Sequence, residues 1–132
     1  MRDKGERQRI TSGTVWERTY GYSRAVRVDR AVSVAGTTAV DEAGTLIGPD
    51  DPYAQAMYIY GKIDRALREA GSSLKDIVRV RTFVTDITRW EEVARAQGEV
   101  LAEIRPAATL VQVVALVRPD LLVEIEADAI IP

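Results

Sequence analysis

Two strand-like runs in the last quarter of the chain constrain its fold most tightly. Residues 109–117 (Thr-Leu-Val-Gln-Val-Val-Ala-Leu-Val) are almost continuously apolar, the pattern of a strand covered on both faces. Residues 122–130 alternate instead. Glu124, Glu126 and Asp128 fall on one side of an extended chain, and Val123, Ile125, Ala127 and Ala129 on the other. A length of 132 residues supplies one core and not two, so residues 1–132 read as a single domain.

Upstream, residues 25–28 and 31–35 read as short strands joined by a turn at Asp29-Arg30. Asp51 is placed to cap a helix whose first residue, Pro52, needs no N–H partner. Ala56, Tyr60, Ile63, Leu67 and Ala70 give that helix one apolar stripe, and Gly71 ends it. Residues 76–84 read as a strand closed by Asp86. Thr88-Arg-Trp-Glu91 then reads as a capping box for a second helix. Trp90, Val93, Ala94, Gln97, Leu101 and Ile104 form its expected inner face, and Pro106 stops it. Strands over 109–116 and 122–130 follow. This order predicts an α+β fold, a mixed sheet with both helices on one face. The opposite face then calls for another subunit, so an oligomer is expected.

The chain has no Cys and no His. Disulfides, thiolate nucleophiles, the usual zinc ligand sets and an imidazole base are thereby excluded. Acid–base work falls to Asp, Glu, Tyr, Lys or water. A net charge of −2, with cations interleaved among acids, gives no basic field for nucleic acid or anionic membrane. The charged start, Met1 to Arg9, has no apolar segment behind it and is not expected to be a signal peptide. No apolar run approaches the roughly 20 residues that span a bilayer. A cytoplasmic protein is expected.

Among the polar residues, Glu126 and Asp128 read as a charge ladder facing Arg79 and Arg81 on a neighbouring strand. Glu124 belongs to the same ladder. Tyr22 and Arg24 share a side if the segment before the first strand is extended. Gly36 is either a bulge or a close approach of backbone to a ligand. Trp16 and Trp90 read as packing residues, and Ser72 and Ser73 as turn residues with no base to activate them.

Several segments, taken in order, carry a resemblance. They are Tyr22, Val34-Ala-Gly36, Ala70-Gly-Ser-Ser-Leu-Lys-Asp-Ile-Val, Phe83-Val-Thr-Asp, Pro106-Ala107 and Val123-Glu-Ile-Glu-Ala. Together they resemble the RidA/YjgF family of enamine/imine deaminases, from about Tyr22 to the C-terminus. The resemblance implies a chorismate-mutase-like domain forming homotrimers with ligand clefts between subunits. It also implies hydrolysis of reactive 2-aminoacrylate-type enamines and imines to 2-oxo acids and ammonia, with no cofactor or metal. In that pattern Tyr22 is the active-site Tyr, the residue at 124 orients water, and backbone near Gly36 lines the cleft. Some family members are described instead as translation inhibitors or ribonucleases.

Three positions depart from the family pattern. Ala108 stands where the family Arg holds a substrate carboxylate, Leu110 where many members have Cys, and Ala94 where Asn is frequent. Losing a directional, charged donor from a buried site costs about 2–5 kcal/mol of recognition. Arg24 and Arg105 are the cations available to replace it. Otherwise the substrate lacks a carboxylate and meets a more apolar wall of Ala94, Ala108 and Leu110. The expectation is an imine/enamine hydrolase of altered substrate range, with Glu124 and Tyr22 at the chemistry and Thr109 lining the cleft. The alternative is a non-catalytic trimeric metabolite-binding or regulatory protein. An endoribonuclease or translation inhibitor is disfavoured by the charge balance and the absence of His.

Overall fold

The computed structural model describes residues 6–132. The start of the charged segment read as no signal peptide, residues 1–5, lies outside the described residues. Strands are β1 (Arg7–Ile10), β2 (Ala25–Val28), β3 (Ala31–Thr37), β4 (Ile77–Val84), β5 (Ala107–Gln112) and β6 (Val123–Ile130). Helices are α1 (Val15–Tyr20), α2 (Pro52–Glu69) and α3 (Trp90–Leu101). The strands form one six-stranded sheet in the order β1-β2-β3-β6-β4-β5. The β4–β5 pair is parallel and every other pair antiparallel. That mixture follows from the connections: α3 carries the chain back over the sheet between β4 and β5, as a parallel pair requires.

Strand β6, last in sequence, sits between β3 and β4 and unites the two halves of the sheet. Its alternating sequence suits that place. Val123, Ile125, Ala127 and Ala129 are buried beneath the helices, while Glu124, Glu126 and Asp128 are half-buried on the other face. Helix α2 starts as its sequence requires, with the Asp51 side chain accepting from Ala54 N–H and Pro52 at the first position. Its stripe of Ala56, Ile59, Tyr60, Ile63 and Leu67 packs on Val32, Val34 and Ile125, with Val93, Ala96 and Leu101 of α3 alongside.

The structure corrects the sequence reading in four places. The segments β1 and α1 are additional elements; four residues rich in cations and a six-residue helix without a side-chain cap leave little pattern to read. The strand expected over 109–116 begins at Ala107 and ends at Gln112, because its partner β4 runs out at Val84. The remaining apolar residues leave the sheet, and Val114 and Val117 are exposed. The capping box is replaced by a single 3-10 turn, Ile87–Arg89, capped by Asp86 through Thr88 N–H. Helix α3 then begins at Trp90, which lies outward rather than on the inner face.

Both long helices pack on one face of the sheet. The other face carries Ser33, Arg79, Arg81, Phe83, Glu124, Glu126 and Asp128 and is bare in the protomer. There Arg81 pairs with Asp128 at 3.2 Å and Glu126 at 3.9 Å. Arg79 faces Asp128 in register but lies exposed. No helix among the described residues is long and apolar enough to cross a membrane.

Candidate active site

A bulge builds the site. The β3–β6 register pairs Val34 with Ala127 and Thr37 with Ile125, so Ala35 and Gly36 together oppose Glu126. The extra residue bends β3 and brings Gly36 against the side chain of Glu124. A Cβ placed at Gly36 would fall 2.1 Å from Glu124 Oε2. Glycine is needed here for space, to let the carboxylate lie on the backbone.

Arg24 holds this arrangement from the side. Its backbone is bonded both ways, from its N–H to Ile10 O and from its O to Ala35 N–H, which fixes it between β1 and β3. Its Nη2 donates to Gly36 O at 2.8 Å. Its Nε is enclosed and meets no acceptor among the described residues. The guanidinium carbon lies 5.9 Å from the centroid of the Tyr22 ring, which is half exposed. Tyr22, Arg24, Gly36 and Glu124 therefore form one group, although 102 positions separate Tyr22 from Glu124 (124 − 22).

Burial pushes the Glu124 carboxyl above the usual carboxylate range; the Arg24 charge opposes this, and Glu126 adds to it. A half-buried carboxylate of raised basicity is suited to accept a proton from water. The neighbouring cation and phenol provide directional contacts for a polar substrate.

The other expected residues lie elsewhere in the protomer. Strand β4 separates β5 from β6, which puts β5 about 10 Å from β6 at the usual strand spacing. Ala108 and Leu110 pair with Val80 and Thr82, buried residues of the helix-covered face. Thr109 pairs with Arg81 and so shares the face of Glu124. Ala94 is half-buried on α3. Arg105, in a left-handed conformation at φ 52°, precedes Ala107 at the end of the sheet level with Asp128. Glu124 is level with Phe83 and Val111. Of the two cations considered for the role of position 108, Arg24 is the one beside Glu124.

The sequence reading missed Lys62 and Glu17. A cavity of about 850 Å³ opens between α1, the 38–44 segment and α2, lined by Trp16, Glu17, Tyr22, Arg24, Tyr58 and Lys62 among others. Lys62 Nζ donates to Thr38 O and Val40 O at 2.8 and 2.9 Å. Burial, with Arg24 and Arg65 nearby, depresses its ammonium to about 8. Glu17 is buried; burial opposes its charge, but hydrogen bonds from Ser12 and Thr11 outweigh that and hold it below the usual range. The one sequence signal for Lys62 was its place next to Ile63 on an amphipathic helix, where solvent is the ordinary expectation. Among the described residues no group of His, Cys, Asp and Glu is arranged to hold a metal.

The family model described as Endoribonuclease L-PSP matches residues 16–131. The chain belongs to the RidA/YjgF family. It is 34% identical over 108 residues to the 3-aminoacrylate deaminase RutC of Acinetobacter baylyi, covering 82% of this chain and 85% of that protein. An uncharacterised protein of Streptomyces coelicolor is 34% identical over 122 residues, 92% of this chain and 90% of its own length. Among solved structures, a Mycobacterium tuberculosis member of the YjgF/YER057c/UK114 family superposes with a TM-score of 0.87 at 44% identity. That match covers 96% of this chain and 100% of the other. RidA from the Antarctic bacterium Psychrobacter gives 0.79 at 28% identity, covering 98% and 100%.

Proposed function

We propose that the protein is a RidA-like imine/enamine hydrolase whose substrate range has moved away from that of members with an Arg at position 108. The observation that carries this reading is the close packing of the Glu124 carboxylate on Gly36, with Arg24 bonded to the same residue. Glu124 orients a water and takes its proton as the oxygen attacks the imine carbon. Glu124 passes that proton to the nitrogen to give the carbinolamine, then relays the carbinolamine hydroxyl proton to the same nitrogen as the C–N bond breaks, leaving a carbonyl compound and ammonia. Water is the only co-reactant, and neither metal nor cofactor is needed. Arg24 assumes the substrate-anchoring role, and Tyr22 stacks on or hydrogen-bonds the substrate.

The bare sheet face supports a homotrimer. It leaves Arg79, Phe83 and Glu126 without a covering layer, and Val78, Val111 and Ile130 are exposed apolar residues along it or at its edge. A second copy over this face would bring its own Ala94, Arg105, Ala108, Thr109 and Leu110 towards Glu124 as the far wall of an intersubunit cleft. The small imine or enamine is the expected partner, without nucleic acid or membrane, and the cytoplasm the expected location.

The test is deaminase activity on imines generated in situ, for wild type, Glu124→Gln and Ala108→Arg. Loss of turnover in Glu124→Gln supports the mechanism; unchanged turnover of every imine tried removes it. That second result would favour a non-catalytic metabolite-binding trimer, a reading supported by the absent Arg at 108. Gain of 2-aminoacrylate hydrolysis only in Ala108→Arg would mark the native substrate as another compound.

A further inference from the structure

Hydrolysis at Glu124 uses two residues of the cavity between α1 and α2, Tyr22 and Arg24, and leaves the rest of it without a task. Its volume of about 850 Å³ lies within the range of sites for drug-sized ligands and far exceeds what a three-carbon imino acid fills. Neither Glu124 nor Gly36 is part of its lining, which sets it apart from the hydrolytic site.

Two cations line it with hydrogen-bonding capacity to spare. Lys62 uses two of its three N–H groups on Thr38 O and Val40 O. Arg24 uses Nη2 on Gly36 O, and its Nε is enclosed, so the donor it keeps for a ligand is Nη1. Three of the four acids of the lining are engaged already. Glu17 accepts from Thr11, Ser12 and Thr14. Asp41 accepts from the N–H groups of Ala43 and Thr45, and Glu42 pairs with Arg65.

The remaining wall is aromatic. Trp16 and Tyr20, one helical turn apart on α1, stack with ring centroids 5.6 Å apart and planes 12° from parallel. Both are largely exposed, while Tyr58 lines the cavity from α2. Flat apolar surface beside two partly used cations suits a planar ring carrying one negative charge. The carboxylates of Glu17, Asp41, Glu42 and Glu69 in the lining repel a doubly charged phosphate about twice as strongly as a singly charged carboxylate.

We propose that this cavity binds an aryl carboxylate, with the carboxylate on Lys62 and Arg24 and the ring against Trp16 and Tyr58. Arg24 is shared with the hydrolytic site, but the assignment does not require hydrolysis, and binding alone tests it.

The experiment is calorimetric titration of the full chain with phenylpyruvate, pyruvate and phenyl phosphate. Phenylpyruvate is expected to bind about tenfold or more tightly than either of the others, the difference that a buried ring makes. Lys62→Met should weaken it by about tenfold and Lys62→Arg should restore most of that loss. Because Lys62 also pins the 38–40 segment, Trp16→Ala serves as the variant at an exposed position that leaves the fold intact; it too should weaken phenylpyruvate binding. Equal affinity for pyruvate, preference for phenyl phosphate, no heat at millimolar ligand, or full affinity in both Lys62→Met and Trp16→Ala would each overturn the assignment. Phenylpyruvate binding by a protein that turns over none of the imines generated in situ would uphold it and remove only the hydrolytic reading.

Discussion

Strands β5 and β6 are both apolar-rich and are separated by one strand, yet they have opposite fates. In β6 every second residue is buried to within 1% of complete, under α2 and α3. In β5, which is more continuously apolar, five of six residues are exposed. The difference lies in sheet order. Strand β6 is central, paired on both sides, whereas β5 pairs only with β4 and lies at an edge. Apolar sequence therefore states a need for cover, and position in the sheet decides whether the chain itself supplies it. An exposed apolar edge is a liability unless another surface meets it.

The largest expected effect breaks the comparison at its functional end. Glu124→Gln should lower imine turnover by about 10²–10⁴-fold, the usual contribution of a positioned acid–base group. Its melting temperature at pH 7 should stay equal or rise, because the variant removes a carboxylate whose ionisation is opposed by burial. Ile125→Ala, at a fully buried position of the same strand, should do the reverse. It should cost about 2–5 kcal/mol in denaturant unfolding, while Glu124 chemistry persists in the folded fraction.

Gly36→Ala comes next. The added methyl must displace the Glu124 carboxylate, and a misplacement of about 1 Å costs on the order of 100-fold in rate. Its effect on stability should be small, since the displaced atoms are the end of a flexible side chain. On β5, Val111→Ser should change protomer stability by less than about 1 kcal/mol, as exposed sites do. It should nevertheless shift the mass seen by light scattering from trimer towards monomer. A wild type that is monomeric from the outset would show that β5 needs no cover.

The smallest effect is a pH dependence. Glu124 holds its proton more tightly folded than unfolded, so ionisation there opposes folding. That opposition is complete above the raised native value and disappears as the pH falls towards the ordinary value of 4.5. The melting temperature of Glu124→Gln minus that of wild type should accordingly be largest near pH 7 and shrink on acidification. A difference that grows towards acid would show that the carboxyl is stabilised rather than opposed by its surroundings.

Much of the architecture was legible because its signals are local. The alternation over residues 123–129 specified which side chains enter the core, and Asp51, Pro52 and the Ala56–Ile63–Leu67 stripe marked α2 as it stands. The short N-terminal elements left no such trace. Continuous apolarity also has no period, so nothing in residues 109–117 marked the point at Gln112 where the strand stops. Tyr22, Gly36 and Glu124 could be named from the sequence, yet only as separate positions. Arg24 and Arg105 stood as equal candidates there.

The sequence by itself determined the sidedness of its strands and helices, the absence of Cys and His chemistry, and the alanine at 108. Each of these is written in neighbouring residues or in composition. Only the tertiary structure decided that Arg24, Gly36 and Glu124 meet, and that Lys62 turns inward beside them. Those contacts depend on a one-residue shift of register at the β3 bulge and on β6 entering between β3 and β4. Both are consequences of how distant strands pair, which no local pattern of side chains encodes.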